Sequence, residues 1–109
     1  LPLIKVDIIG EAIPTLRGVK TLLENGFEST LSPSNRIFLN LLNSRNQSPA
    51  YISLISESGV LENSELELIK KLLLDPQTCG PLMIACDSVV AKELVEHSSW
   101  HRIGLVDFV

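Results

Sequence analysis

Apolar and polar residues alternate from position 3 to 9, with Ile4, Val6 and Ile8 on one side and Lys5 and Asp7 on the other. That is the period-two pattern of a strand with one buried face, and Gly10 ends it. From Pro14 and Thr15 the period changes: Leu16, Val19, Leu22 and Leu23 recur at helical spacing, and Asn25-Gly26 supplies a left-handed stop. Ser32 with Pro33 reads as the N-cap and first position of a second helix, whose stripe is Ile37, Phe38, Leu41 and Leu42. Residues 43–49 are polar and predict a loop. At 51–55, Tyr51, Ile52, Leu54 and Ile55 fit a short helix, while their β-branched content also tolerates a strand. Of the two, the short helix is the expectation.

Asn63-Ser64 opens the clearest helix. Ser64 and Glu67 have the spacing of a capping box, Glu65 and Glu67 lie near its positive end, Lys70 and Lys71 lie near its negative end, and Leu66, Ile69 and Leu73 are placed to face a core. Asp75 before Pro76 closes it, because proline disfavours the α region for the residue ahead of it. Leu82 to Cys86 then reads as a short buried strand, Asp87 as the cap of a helix through Val90, Ala91, Leu94 and Val95, and residues 102–108 as a final alternating strand. This order predicts an α+β domain, an α/β sandwich in which helices cover a sheet. Its last unit, Leu82–Cys86 with the following helix and strand, predicts either a right-handed crossover or a ferredoxin-like half.

A chain of 109 residues makes one domain, long enough to bury a single core. Apolar residues are 45% of it and the mean hydropathy is +0.27, which suits either a Leu-rich core or apolar surface covered by a neighbouring domain or subunit. The net charge is −4, and Lys and Arg are scattered apart from Lys70-Lys71, so no basic stripe is available to neutralise a nucleic-acid backbone. No apolar run approaches the ~18 residues that span a bilayer, and the N-terminus lacks the layout of a secretory signal. With no initiator Met, a fragment or processed product is expected. Cys79 and Cys86 lack the spacing of a zinc site or disulfide framework, which predicts a reduced, cytoplasmic protein.

The turn from Asp75 to Pro81 is the leading candidate for chemistry. Gln77, Thr78 and the Gly80 amide stand at a strand entrance, where glycine lets backbone come close and clustered N–H groups can meet a phosphate at the mouth of a nucleotide site. The same residues also read as architecture, with Asp75 ending a helix, Thr78 bonding local backbone and Gly80 permitting a turn. Cys79 has no adjacent His to make it a nucleophile, and Cys86 reads as core. His97 and His101 read as surface residues, Trp100 as a packing anchor, and Asp7 and Asp107 as polar strand positions with no second carboxylate at helical spacing. No catalytic residue and no metal ligand is expected in this chain.

Asp75-Pro76-Gln77-Thr78-Cys79-Gly80-Pro81-Leu82-Met83 resembles the Asp-Pro-Gln-Thr-Ser-Gly-Gly-Leu-Leu signature near the C-terminus of the selenophosphate synthetases (selenide, water dikinases), which share a superfamily with aminoimidazole ribonucleotide synthetase and thiamine-monophosphate kinase. Ala12-Ile13-Pro14 with Gly18 resembles that family's Ala-Ile-Pro…Gly, and Ser32 with Asn35 its Ser/Thr-x-x-Asn, so the likeness spans nearly the whole chain. It implies an aminoimidazole ribonucleotide synthetase C-terminal-domain fold, partly ferredoxin-like. It also implies an enzyme that converts ATP, selenide and water to selenophosphate, AMP and phosphate with Mg2+. In that family the reactive Cys or selenocysteine, its partner lysine, the glycine-rich loop and the metal-binding aspartates lie upstream of the matched region. The resemblance therefore implies that residues 1–109 pack on an N-terminal ATP-binding domain of a homodimeric parent, wall its nucleotide site through Gln77, Thr78 and Gly80, and are inactive alone, with no cofactor of their own. Pro81 departs from the family's second glycine and removes an N–H from the turn. The alternatives are a non-catalytic ferredoxin-like binding or dimerisation module, and the C-terminal domain of another kinase of the superfamily.

Overall fold

The computed structural model describes residues 4–42, 50–59, 61–76 and 82–108. Strand β1 (Ile4–Ile9) lies at the centre of a three-stranded sheet. On one side β2 (Ala50–Ile55) runs parallel to it, Val6 opposite Ile52 and Ile8 opposite Leu54. On the other, β3 (Gly104–Phe108) runs antiparallel, Val6 opposite Val106 and Lys5 opposite Asp107. Residues 51–55 are thus strand and not the short helix expected of them. Each has a ladder partner on β1, and that non-local pairing outweighs a local pattern that fitted either state.

Directly paired residues share a face, so the register sorts the sheet into two sides. Ile4, Val6, Ile8, Ile52, Leu54, Val106 and Phe108 form an apolar side, while Lys5, Asp7, Tyr51, Ser53 and Asp107 form most of the other. Lys5 Nζ meets Asp7 Oδ2 at 3.0 Å on this polar side, whereas Asp7 Oδ1 is buried without a hydrogen-bond partner among the described residues. Asp7 and Asp107, far apart in sequence, are brought to the same side around Lys5.

Helix α1 (Val19–Glu24) starts only after Gly18, leaving Leu16 outside it and 82% exposed. Its end follows the sequence closely: Gly26 takes φ 83°, Phe27 N–H donates to Leu22 O at 3.0 Å and Gly26 N–H to Leu23 O at 3.1 Å. These crossed bonds are the Schellman stop that the Asn25-Gly26 pair predicts, and glycine accommodates its positive φ without steric cost. Helix α2 (Ser32–Asn35) is a single turn with Leu31, not Ser32, at its N-cap; Ser32 is buried inside it. A 3-10 stretch, Arg36–Leu41, follows, and its tighter winding breaks the expected stripe, so Ile37 and Phe38 are exposed.

Helix α3 (Asn63–Leu74) forms where expected, but with Glu62 at the N-cap and no side-chain cap. The capping box is absent, and Glu67 instead pairs with Lys70 at 3.1 Å. Of its three core positions Ile69 is buried, Leu66 half-buried and Leu73 exposed. Helix α4 (Ser88–His97) is capped as the sequence indicates, Asp87 Oδ1 accepting from Val89 N–H and Val90 N–H, both at 3.0 Å. Residues 82–87 are not a strand: they join no ladder of the sheet, and Leu82, Met83, Ile84 and Cys86 are exposed. The crossover or ferredoxin-like half expected there does not form among the described residues, and Cys86 is not core.

The buried core gathers where β1 ends against the helices, around Gly10, Leu23 and Ile69. It is small for the apolar content. Among the described residues Phe27, Leu82, Met83, Val89 and Phe108 are each more than half exposed. The architecture is a small α+β domain with a three-stranded mixed sheet and helices.

Candidate functional site

Gln77, Thr78, Cys79, Gly80 and Pro81 lie outside the described residues. The approach to them is described. Helix α3 ends at Leu74, and Asp75 at φ −64° and ψ 121° is extended, as a residue before proline must be. Its N–H donates to Leu72 O at 3.3 Å. The Leu74 carbonyl accepts from Asn35 Nδ2 at 2.9 Å, 39 residues away in sequence. Ser32–Asn35 therefore reaches the last residue of α3, immediately before the segment that begins at Asp75.

Asp75 also lines a cleft of about 220 Å³ with Val19, Leu22, Leu23, Phe27 and Glu28. Its walls come from the buried side of α1 and its Schellman stop. One rim is fixed by Arg36, whose guanidinium donates to both carboxylate oxygens of Glu28 at 2.9 Å. The charges that Asp75 and Glu28 bring to this cleft are negative, so anion affinity there must come from elsewhere.

A second cleft, about 210 Å³, lies between the end of β1, α1 and α3, lined by Gly10, Glu11, Lys20, Glu24, Glu65, Leu68, Ile69 and Leu72. It opens beside the carboxyl ends of the parallel pair β1 and β2, where open α/β sheets commonly take ligands. Glu11 is anchored there by the turn that follows β2. Ser56 Oγ–H donates to Glu11 Oε1, Glu57 N–H to Glu11 Oε2 at 3.3 Å, and Ser58 Oγ lies 2.9 Å from Ser56 Oγ. The turn closes through Gly59 N–H to Ser56 O at 3.0 Å. The Ser56 hydroxyl above all, then the backbone N–H groups of Glu11 and Glu57 and the Lys20 charge, hold the Glu11 carboxyl below its ordinary range against a smaller opposing desolvation effect.

This second cleft is not legible in the sequence alone, where neither Glu11 nor Ser56 stands out as a functional residue. The signal available was the pairing of Glu11 just past one strand with Ser56-Glu57-Ser58-Gly59 just past another. It becomes readable only once 50–55 is known to be a strand beside β1. Of the other residues considered, His97 occupies the last turn of α4 and is exposed, as is His101, and Trp100 is half-buried. Among the described residues no three His, Cys, Asp or Glu side chains gather as a metal-binding group, and no helix is long and apolar enough to cross a membrane. Compared with family models, with curated proteins and with solved structures, the chain finds no match.

Proposed function

We propose that this chain is the C-terminal domain of a selenophosphate synthetase, with the α/β-sandwich fold of the aminoimidazole ribonucleotide synthetase C-terminal domain. The observation that carries the reading is the Asp75-Pro76-Gln77-Thr78 tetrapeptide, an uncommon sequence set in a longer stretch that resembles the family signature. Two further features support it. The Asn35 to Leu74 bond brings a second family-like stretch to the end of the helix that precedes that segment. The exposed apolar side chains, Phe27, Leu82, Met83, Val89 and Phe108 among them, suit a domain that docks on another.

In this reading the domain packs on an N-terminal ATP-binding domain within a cytoplasmic, homodimeric parent and closes one wall of the nucleotide site. It excludes water and orients the substrate for a reaction whose charged transition state needs a preorganised surround. Gln77, Thr78 and Gly80 approach the phosphates through backbone N–H groups and short polar side chains. As the family resemblance implies, metal ligation and the reactive chalcogen are assigned to the N-terminal domain, and no chemical step is assigned to these 109 residues.

The test is the full polypeptide that contains this chain, purified and supplied with ATP, Mg2+ and selenide under reducing conditions. Phosphorus NMR should show selenophosphate, with AMP and phosphate released only when selenide is present. ATP turnover indifferent to selenide would point to another kinase of the superfamily. No ATP chemistry, with self-association or partner capture instead, would make the chain a binding module.

A further inference from the structure

We infer that the outer edge of β3 is a self-association site, where a second copy of this chain pairs antiparallel with the first about a twofold axis at Val106. This goes beyond the function proposed above and holds whatever reaction the polypeptide serves. The sheet has two edges. That of β2 is met by Leu42, which bridges Ile52 on the flank away from β1, whereas β3 has no outer ladder partner among the described residues. An open edge of this kind templates another strand. On it Leu105 and Val106 are about half exposed and Phe108 is 73% exposed.

The register decides which backbone groups face outward. Ile9 N–H donates to Ile103 O at 2.7 Å, and these two stand opposite each other in the frame that pairs Ile8 with Gly104. Hydrogen-bonded pairs alternate along an antiparallel ladder, so Leu105 and Asp107 bond to β1, while Gly104, Val106 and Phe108 direct N–H and C=O to the outer edge. Phe108 N–H accordingly donates to Asp107 Oδ1 at 3.0 Å.

A copy turned end for end about Val106 meets each of these groups. Val106 exchanges both bonds with its counterpart, and Gly104 does the same with Phe108 of the second copy once the Asp107 carboxylate swings aside. The side chains fit this register too. Phe108 lies across from Gly104, an aromatic placed over a strand glycine, and Val106 lies across from itself. Asp107 faces Leu105, so the one charge on the strand never meets its own copy. This twofold complementarity is what favours a second copy over an unrelated strand. A five-residue edge supplies little of the roughly 800 Å² per partner that a standard interface buries, so the association is weak and depends on concentration.

The test is amide hydrogen exchange on the full polypeptide that contains this chain, in dilute and in concentrated solution. The 104–108 amides should exchange about fivefold more slowly in the concentrated protein, by mass action, with β1 unchanged. Val106→Pro removes the outward N–H and leaves the Leu105 and Asp107 bonds to β1 in place, at an edge position where proline is tolerated. Val106→Lys keeps the backbone and sets like charges across the axis. Each should erase the slowing while the melting temperature of dilute protein stays near that of the wild type. Amides at 104–108 that exchange freely at every concentration overturn the inference. So does shielding that Val106→Lys leaves intact, because another segment or a different partner then occupies the edge.

Discussion

Gly10 lies against Ile69 so closely that a methyl group in place of its hydrogen would run into Cδ1 of that side chain and stand 3.3 Å from its Cγ1. This is the joint between the sheet and the helical layer, because Gly10 follows β1 directly and Ile69 is the buried residue of α3. Gly10→Ala should cost about 1–3 kcal/mol by overpacking. Ile69→Val removes the offending carbon, so the double variant should be less destabilised than the sum of the singles, as a thermal or urea cycle would reveal. Strict additivity would mean that the two residues do not share this contact.

Gly104 provides a sharper version of the same test. A Cβ there would meet the backbone carbonyl of Asp7, which cannot swing aside as a side-chain end can. Gly104→Ala should therefore destabilise more than Gly10→Ala, and hydrogen exchange should show protection lost first along the β1–β3 ladder.

Stability should fall on the acid side in a way that depends on Glu11. Its folded-state pKa is depressed below the ordinary 4.5, chiefly by the Ser56 hydroxyl. A depressed carboxyl contributes stability that is present above the unfolded value and is lost as pH falls through the folded one. Urea midpoints of the wild type should thus drop as the pH is taken below 4.5. Glu11→Gln and Ser56→Ala should each shallow that drop. Identical pH profiles for all three proteins would remove Glu11 from the account.

The Asp87 cap leads to a local prediction. Asp87→Ala removes the acceptor for both Val89 N–H and Val90 N–H and should cost about 1 kcal/mol. Asp87→Ser should restore most of it. Far-ultraviolet circular dichroism and the melting temperature read the two together.

On the polar sheet side, Lys5→Met would leave Asp7 with a buried oxygen and no adjacent cation. The expected loss is about 1–3 kcal/mol. Replacing both residues, Lys5→Met with Asp7→Val, should recover much of it, since an apolar pair often does as well as a buried ionic one. A double variant weaker than the single would show that the pair contributes through more than mutual compensation.

The parts of this fold that were legible in sequence are those decided within a few residues. Alternation marks β1 and β3, Asn25-Gly26 marks the end of α1, Pro76 marks the end of α3 and Asp87 marks the start of α4. What was not legible depends on distant partners. Residues 51–55 carry a pattern open to helix or strand, and only the register with β1 makes them strand. Leu82–Cys86 has the composition of a buried strand yet lies exposed, since apolar side chains favour burial without supplying a ladder partner. At the candidate sites, proline's effect on Asp75 was readable, whereas the Asn35 to Leu74 bond and the Glu11 to Ser56 bond span chain separations of 39 and 45 residues and needed the fold to become visible. Gln77, Thr78 and Gly80 rest on sequence alone.

The central position of β1 bears on how the protein is made. Its neighbours arrive at residues 50–55 and 104–108, so β1 is synthesised before both of its partners and waits about a hundred residues for its second edge to be satisfied. A stalled or truncated nascent chain ending before Gly104 would leave that flank of β1 open, and chaperone engagement should be greatest over that interval of synthesis.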